Sequence, residues 1–327
     1  MSQVTITLPD GSSRSVPAGT TVADLATSIS PGLAKAAFAG KVDNRLVDLS
    51  YPVTADASVQ IITSKNAAEA LPLYRHSTAH LLAAAVTNMF PGVQCGIGPP
   101  TDEGFFYDFV VPRPFVPEDL EAIEQRMREM ADQDLIFERQ MWPRDEAKRF
   151  FAARGEPLKV QLIDEKTEGQ THVSCYTIKD KETFVDFCVG PHVPSTGKLK
   201  AFKLLTTSNA YWKGDARNQP MQRVYGTAFL SEKELQEHLR RLEEAKAFFA
   251  QRGEPLKVQL IDEKTEGQQY VSCYTIKDKE TFVDFCVGPH VPTTGKLKAF
   301  KLLSTSNAYW KGDARNQPMQ RVYGTAF

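Results

Sequence analysis

Apolar and polar residues alternate over Val4-Thr5-Ile6-Thr7-Leu8, the two-residue period of a strand with one buried face. Asp10-Gly11 supplies a turn before Arg14-Ser15-Val16, so the stretch predicts a hairpin. The period then changes. Val22, Leu25, Ala26 and Ile29 recur at helical spacing, with Thr20-Thr21 available as a cap and Pro31-Gly32 as a stop. Residues 41–49 and 58–62 predict further strands. After the polar connector Lys65-Asn66-Ala67-Ala68-Glu69, the residues Leu81, Leu82, Ala85, Val86 and Met89 mark the core face of a helix over 73–90, stopped by Pro91-Gly92. A Gly/Pro-rich loop leads into the aromatic strand Phe105-Phe106-Tyr107-Asp108-Phe109. Pro117 opens an amphipathic helix with Leu120, Ile123, Met127 and Met130 facing inward.

Hairpin, helix and further strands is the order of a ubiquitin-like β-grasp, expected here for residues 1–64. The second half of the chain is dominated by repetition. Residues 146–229 return as 244–327 with six changes: Arg149/Ala247, Ala153/Gln251, Thr171/Gln269, His172/Tyr270, Ser195/Thr293 and Thr206/Ser304. Solenoid repeats run about 20–50 residues, so this longer pair reads as a tandem duplication or an assembly artefact rather than an array. The charged run 230–245 predicts a helical spacer, leaving 246–327 as the duplicate.

With 327 residues the chain has room for two or three domains of about 100–200 residues. Charged residues at 24% and apolar ones at 42% are ordinary for soluble proteins, and no apolar run nears the ~18 residues of a spanning helix. The N-terminus has neither a basic segment nor an apolar one behind it, so a cytoplasmic location and no membrane partner are expected. A net charge of −1 excludes coating of nucleic acid through bulk charge and leaves a local basic face open. Of five cysteines, Cys175 and Cys188 recur as Cys273 and Cys286 and Cys95 stands alone, which gives no disulfide framework.

The chemistry concentrates in Asp186-Phe187-Cys188-Val189-Gly190-Pro191-His192-Val193-Pro194, repeated over 284–292. Gly-Pro keeps the backbone between the Cys and the His in a tight non-helical path. Upstream, His76 and His80 are four residues apart and share one face of a helix. One Cys and three His make a tetrahedral zinc set by residue type; a structural His pair beside an unrelated turn fits the spacing equally well. Lys198, Lys200, Lys203, Lys213, Arg217 and Arg223 interleave with Phe202, Tyr211 and Trp212, a pattern suited to phosphates and unstacked bases or to a solvated basic face.

Arg75-His76-Ser77-Thr78-Ala79-His80-Leu81-Leu82, the 104–109 strand, Phe184 to Gly197, Ala210-Tyr211-Trp212-Lys213-Gly214-Asp215 and Gln222-Arg223-Val224-Tyr225-Gly226-Thr227-Ala228 together resemble the N-terminal half of a bacterial-type threonyl-tRNA synthetase. The resemblance runs from residue 1 to about 245. It implies a TGS domain over 1–64, then over 65–229 an α+β editing (second additional) domain with an antiparallel sheet and long helices, its C-terminal half repeated. The activity implied is hydrolysis of serine mischarged onto threonine tRNA, needed because a threonine pocket rejects an analogue short of one methyl by only about 1–3 kcal/mol. Carried over residue by residue, His76, His80, Lys159, Asp186, Cys188 and His192 become the catalytic set. Tyr107, Lys198, Lys200, Lys203, Tyr211, Trp212, Lys213 and Arg223 become substrate-binding. Lys257, Asp284, Cys286 and His290 form a duplicate half-site. The resemblance associates zinc with the alanyl-type sites and not with the threonyl-type ones, so zinc on His76, His80, Cys188 and His192 stands as a candidate. Near residue 246 the family continues into an ATP-binding class II core, where this chain has its second copy, so neither ATP nor aminoacylation is expected. Partners implied are the mischarged 3′ end of threonine tRNA and a homodimer through the unpaired duplicate. An inactive tRNA-binding synthetase fragment and a free-standing zinc-binding module are the alternatives. The first copy is expected to complete the site, since it follows directly on the Pro117 helix.

Overall fold

The computed structural model describes residues 2–179, 183–264, 273–277, 281–285 and 290–326. Helices and sheets are mixed throughout, an α+β architecture, in two compact units, Met1–Val271 and Ser272–Phe327.

In the first unit β1 (Gln3–Thr7) and β2 (Ser13–Pro17) form the expected hairpin, Val4 opposite Val16. A short β3 (Thr20–Thr21) leads into α1 (Val22–Ile29), where Thr21 and Asp24 cap reciprocally: the Thr21 hydroxyl accepts the Asp24 N–H at 3.1 Å, and the Asp24 carboxylate accepts the Thr21 N–H at 3.2 Å. After α2 (Pro31–Ala36) come β4 (Ala39–Val42), β5 (Arg45–Val47), β6 (Pro52–Val53) and β7 (Ala57–Ile62). The sheet order is β2-β1-β7-β4-β5, with β1 and β7 parallel, and β6 pairs with β3. Val22 and Leu25 of α1 bury against Val4, Ile6, Val47, Val53 and Val59. Residues 41–49 differ from the single strand their pattern predicts. Asp43 and Asn44 both have positive φ, 45° and 65°, and fold the segment into the β4–β5 hairpin; Asx residues tolerate that left-handed backbone.

α3 (Ala67–Met89) starts six residues before the predicted boundary and runs across Pro72. Pro72 removes one i→i−4 bond, but the carbonyl it leaves, on Ala68, belongs to an exposed residue that water can serve. The helix also has more than one core face: from Ser77 to Val86 every residue is buried. Around it stand a four-stranded sheet, a three-stranded sheet and α4 (Pro117–Asp132), which packs Ile123, Met127 and Met130 inward. The four-stranded sheet has order β13-β14-β9-β8, from β8 (Gln94–Cys95), β9 (Phe105–Val110), β13 (Phe202–Tyr211) and β14 (Pro220–Ala228). The other has order β10-β11-β12, from β10 (Phe137–Pro143), β11 (His172–Lys179) and β12 (Thr183–Phe187). α5 (Arg144–Ala153) and α6 (Pro157–Lys166) connect β10 to β11. The predicted spacer does not stand apart from the duplicate, because α7 (Glu232–Gln251) is one helix through both, capped by Ser231, and is followed by α8 (Pro255–Lys264).

Among its described residues the second unit holds two hairpins, β15 (Cys273–Lys277) with β16 (Thr281–Phe285) and β17 (Phe300–Tyr309) with β18 (Pro318–Ala326). Their registers copy those of the first repeat: Tyr274 faces Asp284 as Tyr176 faces Asp186, and Phe300 faces Ala326 as Phe202 faces Ala228. Burial does not follow. Phe202 and Leu204 are 0% and 5% exposed, while Phe300 and Leu302 are 69% and 68% exposed. Among its described residues, nothing in this unit takes the place that α3 and β9 fill in the first repeat; a hollow lined by Tyr274, Ile276, Phe282, His290 and Leu297 lies there instead.

Candidate active site

His76 and His80, one turn apart on α3, lie with ring centroids 5.0 Å from each other. The chain leaves β12 at Phe187 and turns through Cys188, Gly190 and Pro191 to bring His192 against both, at 4.4 Å from His76 and 4.3 Å from His80. The turn depends on glycine. Gly190 has φ +69°, and a Cβ there would sit 1.8 Å from the Tyr176 hydroxyl. Cys188 Sγ lies 3.4 Å from His76 Nε2 and 3.5 Å from His192 Nε2. One ligand atom from each of His76, His80, Cys188 and His192 falls within 4.8 Å of the others. Two distant halves of the sequence therefore meet at one buried point.

His192 is oriented from several sides. Its ring stacks on Phe137 at 5.2 Å and meets Tyr176 edge-on at 4.4 Å. Ser77 Oγ lies 3.2 Å from His192 Nδ1, donates its own hydrogen to the Leu73 carbonyl at 2.9 Å, and accepts the Val193 N–H at 3.0 Å. With its single hydrogen committed, Ser77 accepts from His192 Nδ1–H, which turns the lone pair of Nε2 toward Cys188.

Behind His80 lies a charged cluster. Asp186 is ion-paired with the Lys159 ammonium, accepts the Tyr107 hydroxyl at 2.7 Å, and stands 3.6 Å from His80 Nδ1. The Lys159 ammonium also donates to the Tyr107 oxygen at 2.9 Å. Lys159, at 2% exposure, is no solvated surface lysine. Burial alone would raise the Asp186 carboxyl; the charge of Lys159, with smaller help from His80 and the hydrogen bonds from Lys159 and Tyr107, outweighs it and holds the group below its ordinary range. Burial presses Lys159 down, and Asp186 more than restores it. Asp186 compensates His76 and His80 only in part: burial lowers His76 to about 4 and His80 to about 3, and takes His192 well below 6.5. Burial pushes Cys188 up to about 12. At neutral pH the pocket presents three neutral imidazoles and a thiol.

That donor set suits zinc, which takes three nitrogens and a sulfur in tetrahedral geometry, and the two Sγ–Nε2 distances approach the ~3.5 Å edge that Zn–N and Zn–S bonds of about 2.0–2.3 Å would give. Four protein ligands would also close the coordination shell, as in structural zinc sites.

The basic-aromatic stretch does not converge on this pocket as a set. Lys198 donates to the Lys35 carbonyl, Lys200 pairs with Asp132 at 2.8 Å, and Lys203 with Glu124 at 3.1 Å. Lys213 pairs with Glu165 and Arg217 with Asp215. Arg223 grips Asp108 with two bonds, 2.7 and 2.9 Å, over the Phe106 ring. Trp212 is buried and donates to Gln161, leaving Tyr211 as the aromatic of the group exposed for stacking. In the duplicate, His290 keeps a 4.2 Å edge contact with Tyr274 but is exposed. Asp284 lies on β16 and Lys257 on α8; Cys286 lies outside the described residues. Ser77 and Asp48 were not singled out in the sequence. Ser77 sits inside the His-x-x-x-His motif and was open to notice, whereas Asp48 lies 144 residues from its partner His192.

Residues 4–63 match the family described as TGS domain, and residues 173–225 and 271–323 both match the threonyl and alanyl tRNA synthetase second additional domain. The threonine--tRNA ligase of Aromatoleum aromaticum is 52% identical over 240 residues, 73% of this chain and 37% of that protein. Those of Symbiobacterium thermophilum and Methylibium petroleiphilum are 50% identical over 245 and 265 residues, 75% and 81% of this chain and 37% and 41% of theirs. The chain thus spans about two fifths of the length of the curated relatives it matches. The chain is homologous to threonine--tRNA ligases and carries a TGS domain and a second additional domain, the latter matched twice over.

Proposed function

We propose that this chain hydrolyses the ester of serine mischarged onto threonine tRNA, at the pocket formed by His76, His80, Cys188 and His192. The observation that carries the reading is the convergence of these four groups, from α3 and the β12 turn, backed by a buried Lys159–Asp186–Tyr107 cluster. Water attacks the ester carbonyl and gives a proton to a neutral imidazole. The bond to the ribose oxygen breaks, and that oxygen takes the proton back, leaving free serine and intact tRNA. Asp186 orients His80 and favours the imidazolium that forms there. Lys159 holds Asp186 ionised, and through it supports the charge developing at the pocket. Cys188, a thiol at neutral pH, contributes shape and a weak donor rather than a nucleophile. A zinc ion would be held by His76, His80, Cys188 and His192 and would supply a Lewis acid there; the proposed steps run through the side chains. No ATP-dependent step is proposed. The site is proposed to act in the cytoplasm; among the described residues no helix is long and apolar enough to cross a membrane.

The uncovered face of the second unit is proposed to pair with the same face of a second copy. Each chain has one α3 and two repeats, so swapping repeats between chains uncovers as much apolar surface as it covers. Repeat against repeat is the arrangement that lowers the exposure.

The function is tested by deacylation of serine-charged threonine tRNA. The chain should release serine, and the His76→Ala/His80→Ala variant should lose at least about 100-fold in rate. Undiminished release in that variant overturns the assignment. Binding of the tRNA without release would instead support an inactive tRNA-binding fragment, and stoichiometric zinc with no release a zinc-binding module.

A further inference from the structure

Asp48 belongs to the β-grasp domain, one residue past β5, yet among the described residues its carboxylate bonds to Tyr176, His192 and Arg139, all outside that domain. Oδ1 accepts the backbone N–H of His192 at 3.0 Å. Oδ2 accepts the Tyr176 hydroxyl at 2.8 Å and lies 3.5 Å from Arg139 Nη1. The group is 7% exposed, so these bonds form away from competing water.

Both accepted bonds act on the shape of the pocket. The first fixes the backbone of His192 while Ser77 fixes its ring. The second fixes Tyr176, whose edge meets His192 and whose hydroxyl fills the space a side chain at Gly190 would need. The Cys188–His192 turn is therefore held at His192 directly and beside Gly190 through Tyr176, both by one carboxylate from the neighbouring domain. The segment carrying it, residues 41–49, occurs once in the sequence while the turn occurs twice.

We infer that Asp48 is a positioning residue through which the β-grasp domain sets the geometry of the pocket, so that the site is complete only when both domains are docked. The inference rests on the hydrolytic reading above for its rate consequence, though not for its geometric one. Removing the carboxylate leaves the His192 N–H and the Tyr176 hydroxyl buried without their acceptor and frees the turn to shift; a misplacement near 1 Å costs about 100-fold in rate.

The test uses the full chain with Asp48→Ala, Asp48→Asn and, as control, Asp56→Ala, whose carboxylate accepts the Thr5 N–H within the β-grasp domain. Asp48→Ala should lower kcat for serine release by about 100-fold with KM changed less than threefold. Asp48→Asn, which keeps an acceptor for the N–H and can donate to the tyrosine oxygen, should return to within about threefold of the parent. Asp56→Ala should keep both constants. The 15N shifts of the His192 ring, read on the same proteins, should move in Asp48→Ala and hold in Asp48→Asn. Parental kcat in Asp48→Ala, or Asn behaving like Ala, overturns the inference. If the parent releases no serine, the hydrolytic reading has failed, and the ring shifts alone decide: unchanged shifts in Asp48→Ala still overturn the positioning role. Should Asp48→Ala fail to fold, Tyr176→Phe, which removes one of the two bonds, takes its place with a smaller shift expected, and no shift in it overturns the inference.

Discussion

At the scale of single residues, Lys159 shows how far local sequence can mislead. By itself Glu156-Pro157-Leu158-Lys159 reads as carrying a solvated surface lysine, and only the likeness of the surrounding motifs marks Lys159 as functional. In the structure its ammonium is enclosed with Asp186 and Tyr107, because α6 turns Leu158, Lys159 and Ile163 toward the core. Two buried charges are tolerable only as a pair. Lys159→Met should therefore destabilise the protein by about 3–5 kcal/mol, and adding Asp186→Asn should recover a large part of that loss. Urea titration of the two variants decides it. A double variant no more stable than the single one would mean that the pair is not coupled.

At the scale of elements, the turns make the difference between what the pattern predicts and what forms. Gly190→Ala meets the Tyr176 hydroxyl as well as a left-handed backbone, whereas Gly214→Ala, at φ +73° with nothing within 4 Å, meets the backbone strain alone. The second should cost about 1–2 kcal/mol and the first clearly more, with loss of serine release confined to the first; thermal melts and the deacylation assay separate them. The strongly periodic elements were legible in advance: α1 begins and ends where Thr21 and Pro31 place it, and α4 opens at Pro117. What escaped were features whose cause is not periodic. The Asp43-Asn44 turn rests on two Asx residues inside an otherwise strand-like run, and α3 crosses Pro72 because the exposed first turns forgive a missing bond. The pairing of His76 and His80 with Cys188 and His192 was open to residue type and spacing. Its support by Asp48 was not, since no local pattern links residues 144 positions apart.

At the scale of the whole molecule, one set of apolar side chains is in two environments. Ile178 is 1% exposed and Ile276 48%; Phe184 is 6% exposed and Phe282 56%. Identical strands therefore contribute to stability in one repeat and to stickiness in the other. Sedimentation should show mass rising with protein concentration, and Phe300→Ser/Leu302→Ser should return the chain to monomer without loss of fold, while the matching Phe202→Ser should unfold it. Association unaffected by the double change would place the contact elsewhere. Serine release should likewise fall with Cys188→Ala and persist with Cys286→Ala; equal losses would mean that the two repeats share the work.

The near-identity of the two repeats also makes the history of a molecule matter. Either copy offers the same residues to β9, β10 and α3, and thermodynamics distinguishes them weakly, since doubling a loop costs only about 0.6 kcal/mol. A ribosome distinguishes them by order. The second copy emerges 98 residues after the first, and at about 5–20 residues per second that is a head start of roughly 5–20 seconds, long compared with the folding of a small domain. Chains made in a cell should therefore carry one arrangement. Chains diluted from denaturant, with both copies present at once, should refold into a mixture with lower specific activity than the same protein never unfolded.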